Sequence, residues 1–205
     1  HPVHHEAARW IREGRIGDVV VVRASLGWSL ENPSDYRWRA ELGGGALLDL
    51  GGYLVATARL LTGEEPLAVV ARSMLGTGGA DVNTSIMLSF ATATALLDCG
   101  LASASRNGYE IIGSRGRIVV DHPFGNRTPS RTIRWFDAKG TLKHEERFEG
   151  NQFQREIDAV SEALLRGAPL PIPLAESLKI ARVLDACRAS AITGGPVAIS
   201  PLPAS

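Results

Sequence analysis

Apolar residues return every third or fourth position at both ends of the chain and every second position in the middle. That change of period lays out the elements. Val3, Ala7, Trp10 and Ile11 fall at helical spacing behind Pro2, whose missing N–H costs nothing in a first turn, and Gly14 and Gly17 end the run. Asp18 to Leu26 (DVVVVRASL) is rich in β-branched residues and reads as a largely buried strand. Gly27 to Leu42 is polar, carries Pro33 with Trp28, Tyr36, Arg37, Trp38 and Arg39, and predicts a long loop. Gly43-Gly44-Gly45 then leads into a second helix, from Ala46 to Leu61, with Leu47, Leu50, Leu54, Ala58 and Leu61 on one face and Gly63 just past its end.

From Pro66 to Phe148 the period is two. Ile86, Leu88 and Phe90 alternate with Ser85, Met87 and Ser89, and further strands are predicted at Thr94 to Ser103, Tyr109 to Gly113, Arg117 to Asp121, Thr132 to Phe136 and Leu142 to Phe148. The short turns Ser114-Arg115-Gly116 and Asp137-Ala138-Lys139-Gly140 suit hairpins, so most of the sheet is predicted to be antiparallel. Two helices close the chain. Asn151, with Gln154 three residues on, caps the first, which is expected to bury Phe153, Ile157, Val160 and Leu164; Leu174, Leu178, Ala181, Leu184 and Cys187 form the inner face of the second. The expected fold is α+β: one domain over residues 1–205, an open, predominantly antiparallel β-sheet with its helices packed on one face. The other sheet face, where Ser, Thr and Ala mix with Met87 and Leu97, is expected to pair with a second copy in a homo-oligomer.

Composition narrows the function classes. The 205 residues carry 22 Lys+Arg against 22 Asp+Glu with 44% hydrophobic residues, enough for a sizeable core and without the basic excess that phosphate backbones or lipid headgroups require. No nucleic-acid or membrane partner is expected, and the default location is cytoplasmic. Cys99 and Cys187 lack a CxxC spacing and read as reduced, packed thiols. His1, His4, His5 and Glu6 cluster at the first helix without further ligands at a recognisable spacing, so a structural role is expected and no metal. Arg115, Arg117, Arg127, Arg131 and Arg134 read as a solvated strand face. The chain starts at His1 rather than Met and holds three lysines against nineteen arginines, which suggests a piece of something longer.

Candidate chemistry concentrates in GGGALLDLGGY, Gly43 to Tyr53. Glycines before a helix let backbone N–H groups approach a ligand, which makes Gly44 and Gly45 candidates for substrate contact. Asp49 and Tyr53 are four apart and share a helical face. A phenol can act as general acid, although its ordinary pKa near 10 calls for a neighbouring cation, and no lysine is near in sequence. A packed tyrosine and a tight loop are the alternative reading of the same residues. Arg37, Trp38 and Arg39 could offer guanidinium groups and an indole to a polar ring, or could be a surface loop with a plugging Trp. Asn151 and Gln152 are weaker candidates for hydroxyl recognition, with helix capping as the ordinary role.

GGGALLDLGGY, followed by Ala58-Arg59 and Gly63-Glu64-Glu65-Pro66, resembles the C-terminal domain signature of the Gfo/Idh/MocA oxidoreductase family. His1-Pro2, Gly14-Arg15-Ile16-Gly17-Asp18, Tyr36-Arg37-Trp38-Arg39, Glu110-Ile111-Ile112-Gly113-Ser114-Arg115-Gly116 and Asn151-Gln152-Phe153 are similar to further segments of that domain, in the same order. The resemblance implies that Tyr53 exchanges a proton with the carbinol of a sugar or polyhydroxy substrate and that Asp49 orients substrate or phenol. It implies NAD or NADP as cofactor, bound mainly by an N-terminal dinucleotide-binding domain that this chain lacks. That domain would also bring a lysine from an E-K-P motif to the tyrosine. Neither G-x-G-x-x-G after a strand nor E-K-P occurs in these residues, so the chain alone is expected to be inactive. Tyr53 stands where many members have His, which makes the chain more similar to the glucose-fructose oxidoreductase, xylose dehydrogenase and dihydrodiol dehydrogenase branch. A non-catalytic binding or assembly module of the same fold is the alternative.

Overall fold

The computed structural model describes residues 1–125 and 128–200; Arg127 lies outside them. Helix α1 (Pro2–Arg12) is capped by His1, whose Nδ1 accepts from the Val3 N–H at 3.3 Å. Strand β1 (Val19–Ser29) and helix α2 (Gly52–Thr62) follow, then β2 (Ala68–Leu75), β3 (Asp81–Ser89), β4 (Thr94–Gly100), β5 (Ala102–Gly113), β6 (Gly116–Asp121), β7 (Ser130–Asp137) and β8 (Leu142–Glu149). Helices α3 (Gln152–Arg166) and α4 (Leu174–Thr193) precede a two-residue strand β9 (Val197–Ala198). The strands form one open sheet in the order β8-β7-β6-β5-β1-β4-β3-β2-β9, antiparallel throughout except for the parallel pair β1 and β4. The α+β expectation holds, with an apolar layer of α1, α2 and the second half of α4 against one sheet face.

Alternation fixes which side chains meet that layer. Ala95, Leu97 and Cys99 of β4 and Ile86 and Leu88 of β3 are buried beneath the helices, whereas Met87 and Leu96 face the open side. Leu97, expected on the open face, therefore belongs to the core, and Leu96 takes its place. The bare face carries Arg23, Arg72, Met87 and Leu96 around a shallow hollow of about 810 Å³.

Other departures have local causes. The predicted strand Thr94 to Ser103 turns a corner at buried Leu101, whose N–H donates to Val82 O at 2.8 Å and whose carbonyl accepts from the Leu30 N–H at 2.9 Å. Beyond it β5 runs along the opposite edge of β1, with Leu26 opposite Cys99 on one side and Asn107 on the other. Alternation continues through the corner, so the period alone does not reveal it. The strand β2 had no separate prediction, and the loop before the glycines shortens to a run of single turns at Tyr36–Trp38 and Ala40–Leu42. Arg131, expected on a solvated face, is only 1% exposed, and its guanidinium holds the carbonyls of Gly125 and Gly150. Arg117 and Arg134 pair with Glu110 and with Asp121 and Glu145.

The largest correction concerns α3. Phe153, Ile157, Val160 and Leu164 do line one side of it at helical spacing, yet among the described residues nothing buries them, and Leu164 is 80% exposed. In α4, Leu174, Leu178 and Ala181 are likewise exposed, and only Val183, Leu184, Cys187 and Ser190 are buried. A helical period reports that a face is apolar; it does not say which polypeptide buries it.

Candidate active site

The helix bearing Asp49 and Tyr53 does not start as an ordinary α-helix. Leu47–Gly51 form a single π-helical turn that runs into α2, a widening found often at functional sites. Asp81, at the start of β3, sits under this entrance. Its Oδ2 accepts from the Leu47 N–H and from Thr84 Oγ1, each at 2.8 Å, and Thr84 Oγ1 lies 2.7 Å from Ser73 Oγ. Burial raises the Asp81 pKa, and those two hydrogen bonds oppose the rise. The anion that a helix start favours is thus supplied by the chain's own carboxylate.

The three glycines are also committed. Gly43, Gly44 and Gly45 donate their N–H groups to the carbonyls of Ala40, Arg39 and Arg37 at 2.9–3.0 Å. The sequence expectation of free donors at this loop is corrected: the glycines are there for close packing. A Cβ on Gly44 would come within 2.5–2.7 Å of three backbone carbonyl oxygens, and Gly45, at φ +120°, packs directly onto Asp81. What this folding of the loop achieves is to bring Arg37 over the helix. Arg37 Nε donates to Asp49 Oδ2 at 2.9 Å, its Nη1 reaches Asp35, and its guanidinium stacks 4.8 Å from the Tyr36 ring centroid. Arg37, Asp49, Gly44 and Gly45 share the lining of a small cleft of about 110 Å³.

Tyr53 lies one turn beyond Asp49 and is 45% exposed. Burial of part of its ring lifts the phenol above its ordinary pKa, and the carboxylates of Glu156, on α3, and Asp49 push the same way. Two of the three lysines are engaged elsewhere, Lys143 with Asp137 and Lys179 with Glu176 and Glu65. Behind Tyr53 stand three more rings: Phe124 at 6.2 Å, which touches Tyr109 at 6.3 Å and His4 at 5.9 Å. Burial pushes His4 down to about 4, with His5 adding to it, so it is neutral beside the Tyr109 hydroxyl 3.4 Å away.

The fold therefore gathers Arg37, Asp49, Tyr53, Gly44 and Gly45 in one place, with α3 brought close enough for Glu156 to act on Tyr53. It does not gather Trp38 and Arg39 with them: Trp38 Nε1 donates to Asn32 O at 2.8 Å, and Arg39 forms a β-bridge with Gly79. Asn151 serves as the cap of α3, its Oδ1 accepting from the N–H groups of Phe153 and Gln154. Sequence reasoning passes over Asp81, Phe124 and Glu156 and gives His4, in its cluster at the first helix, a structural role only. None of the three carries a local signal: Asp81 opens β3, Phe124 lies in the turn after β6 and Glu156 sits on α3. Among the described residues no three His, Cys, Asp or Glu side chains gather as a metal site, and no helix is long and apolar enough to cross a membrane.

An open sheet with its helices on one side, and a D-x3-Y turn entered through three packed glycines, define a known kind of domain. Residues 4–119 match the GFO/IDH/MocA C-terminal domain, and the chain belongs to that family. It is 32% identical over 197 residues to the dTDP-3,4-didehydro-2,6-dideoxy-alpha-D-glucose 3-reductase of Actinomadura kijaniata, covering 93% of this chain and 58% of that protein. Among solved structures, the aldose-aldose oxidoreductase from Caulobacter crescentus complexed with glycerol superposes with a TM-score of 0.83 at 29% identity, over 95% of this chain and 60% of that one. A 3-ketoreductase from Actinomadura kijaniata in complex with NADP and TDP-benzene gives 0.81 at 30%, over 93% and 59%. The chain thus spans about 60% of the length of these relatives.

Proposed function

We propose that this chain is the substrate-binding and assembly half of an NAD(P)-dependent oxidoreductase acting on a carbinol or carbonyl carbon of a sugar or related polyhydroxy compound, with Tyr53 as the proton donor and acceptor. The observation that carries the reading is the phenol itself: half-exposed, braced by an aromatic cluster from behind, and one turn beyond an Asp49 that Arg37 holds in place. Burial, Glu156 and Asp49 all raise the Tyr53 pKa. A phenol in that state gives up a proton readily only when a cation stands beside it. The reading takes that cation to be a lysine of an upstream dinucleotide-binding domain, which also holds the cofactor.

The Gly43-Gly44-Gly45 cluster does not fit the pyrophosphate of a dinucleotide, because its N–H groups are spent on the chain's own carbonyls. The chain's contribution lies with the substrate. Arg37 and Asp49 line the cleft beside Tyr53, and Asn151 and Gln152 at the start of α3 are the next candidates to meet a hydroxyl. The uncovered apolar side of α3 supports a further domain packed there, since a face of Phe153, Ile157, Val160 and Leu164 is costly to leave in water. The open sheet face, with Met87 and Leu96 among arginines, supports a homo-oligomer formed sheet to sheet.

Tyr53→Phe in the full-length protein is the test. Turnover should fall by about 10²-fold or more while cofactor affinity stays the same. Turnover within a few fold of the parent would remove Tyr53 from the chemistry.

A further inference from the structure

We infer that Phe124 and Asn107 form a positioning device for Tyr53: Asn107 clamps the turn after β6, and the turn presses the Phe124 ring against the phenol. The inference rests on the reading of Tyr53 as the acid/base and adds two residues that act through it.

The clamp is built from both ends of one carboxamide. Asn107 Nδ2 donates to Phe124 O at 2.7 Å, and the Phe124 N–H donates to Asn107 Oδ1 at 3.1 Å, so a side chain of β5 pairs with the turn as a neighbouring strand would. The His122 N–H adds a third bond, to Asn107 O at 3.0 Å. His122 has φ +52°, the one positive value outside glycine among the described residues, a conformation of the kind that persists where its surroundings over-determine it. The next carbonyl, that of Gly125, is held by the buried Arg131 guanidinium, which also holds Gly150 O at 2.7 Å just before α3. One turn is therefore fastened to β5, to β7 and to the approach of α3.

Its product is the placement of one ring. Phe124 is 5% exposed and lies at 6.2 Å and 56° from Tyr53, 6.3 Å and 53° from Tyr109 and 5.9 Å from His4. Tilted pairs at these separations are favourable contacts with a preferred geometry. Tyr109 and His4 are packed from behind, so Phe124 has no freedom to follow Tyr53; Tyr53 is half in solvent and must follow Phe124. A proton donor needs its oxygen held to within about 0.5 Å and 10–20°, and an exposed tyrosine has no other ring against it among the described residues.

The test uses the full-length protein. Phe124→Leu removes the ring and keeps most of the volume; kcat should fall about tenfold or more with KM changed less than about twofold, and Phe124→Tyr, which restores a ring, should recover most of the loss. Asn107→Ala should resemble Phe124→Leu. In a Tyr53→Phe background Phe124→Leu should have no further effect on the residual rate. A role in packing alone would lower the unfolding temperature in both variants and leave kcat alone, and that result overturns the inference. Because Tyr53 could prove dispensable, a second measurement avoids activity: with 3-fluorotyrosine at position 53, Phe124→Leu should shift and sharpen the fluorine resonance, as the ring gains freedom. An unchanged resonance overturns the inference even if Tyr53→Phe is inactive, whereas a changed one beside an active Tyr53→Phe overturns only the reading of Tyr53.

Discussion

Arg37 and Asp49 are joined by a 2.9 Å Nε–Oδ2 hydrogen bond that fastens the polar loop to the π turn. Asp49 is one of the carboxylates that raise Tyr53, after burial and Glu156. Arg37→Gln takes away the cation that offsets this charge, so the alkaline limb of the pH–rate profile of the full-length protein should move to higher pH. Asp49→Asn should move it to lower pH. Profiles of kcat for the two variants check the signs.

Gly44 has no room for a methyl group. A Cβ there would meet the carbonyl oxygens of Tyr36, Arg37 and Arg39 at 2.5–2.7 Å, all backbone. Gly44→Ala should cost about 2–3 kcal/mol and loosen Arg37, whereas Gly43→Ala, with open space but φ +72°, should cost about 1 kcal/mol. Urea unfolding of both variants gives the comparison.

His4 links stability to acid. Its pKa falls from 6.5 to about 4 in the folded chain, first through burial. The unfolded state then binds the proton more tightly, so the neutral imidazole contributes fully above about pH 6.5 and its contribution is lost as pH falls toward 4. Between pH 7 and 5 the loss should be about 2 kcal/mol. His4→Phe should flatten that part of the curve, read from urea midpoints at the two pH values.

Arg59 is buried on α2 and binds Glu65 at Nε, 2.8 Å, and Glu176 of α4 at Nη2, also 2.8 Å. Its carboxylate partners are partly solvated, which discounts the pairs. Arg59→Met should still cost about 1–2 kcal/mol, and Glu176→Gln less. Thermal unfolding ranks the two.

The elements and the motif were legible because both are local. Alternation marks β3 and β6 to β8, and Asp49 and Tyr53 sit four residues apart on one short stretch. What escaped is what the fold assembles from afar. Asp81 reaches Leu47 across 34 positions, and the Phe124 ring meets one that belongs to α2. A triple glycine before a helix invites a ligand in the sequence, but glycine reports only that something comes close. Here the neighbours are the chain's own carbonyls and Asp81. In α3 the apolar stripe was visible and its burial was inferred, although a stripe carries no record of its cover.

Strand β1 precedes both of its sheet neighbours in the chain by more than one element. It pairs Val21 with Thr94 on one side and with Ile112 on the other, and so stands between the β2–β4 part of the sheet and the β5–β8 part. A ribosome that has released β1 must still deliver β4 before its first edge is paired and β5 before its second. The nascent chain therefore carries an unpaired VVVV segment until β4 emerges, an interval in which an open strand edge invites mispairing.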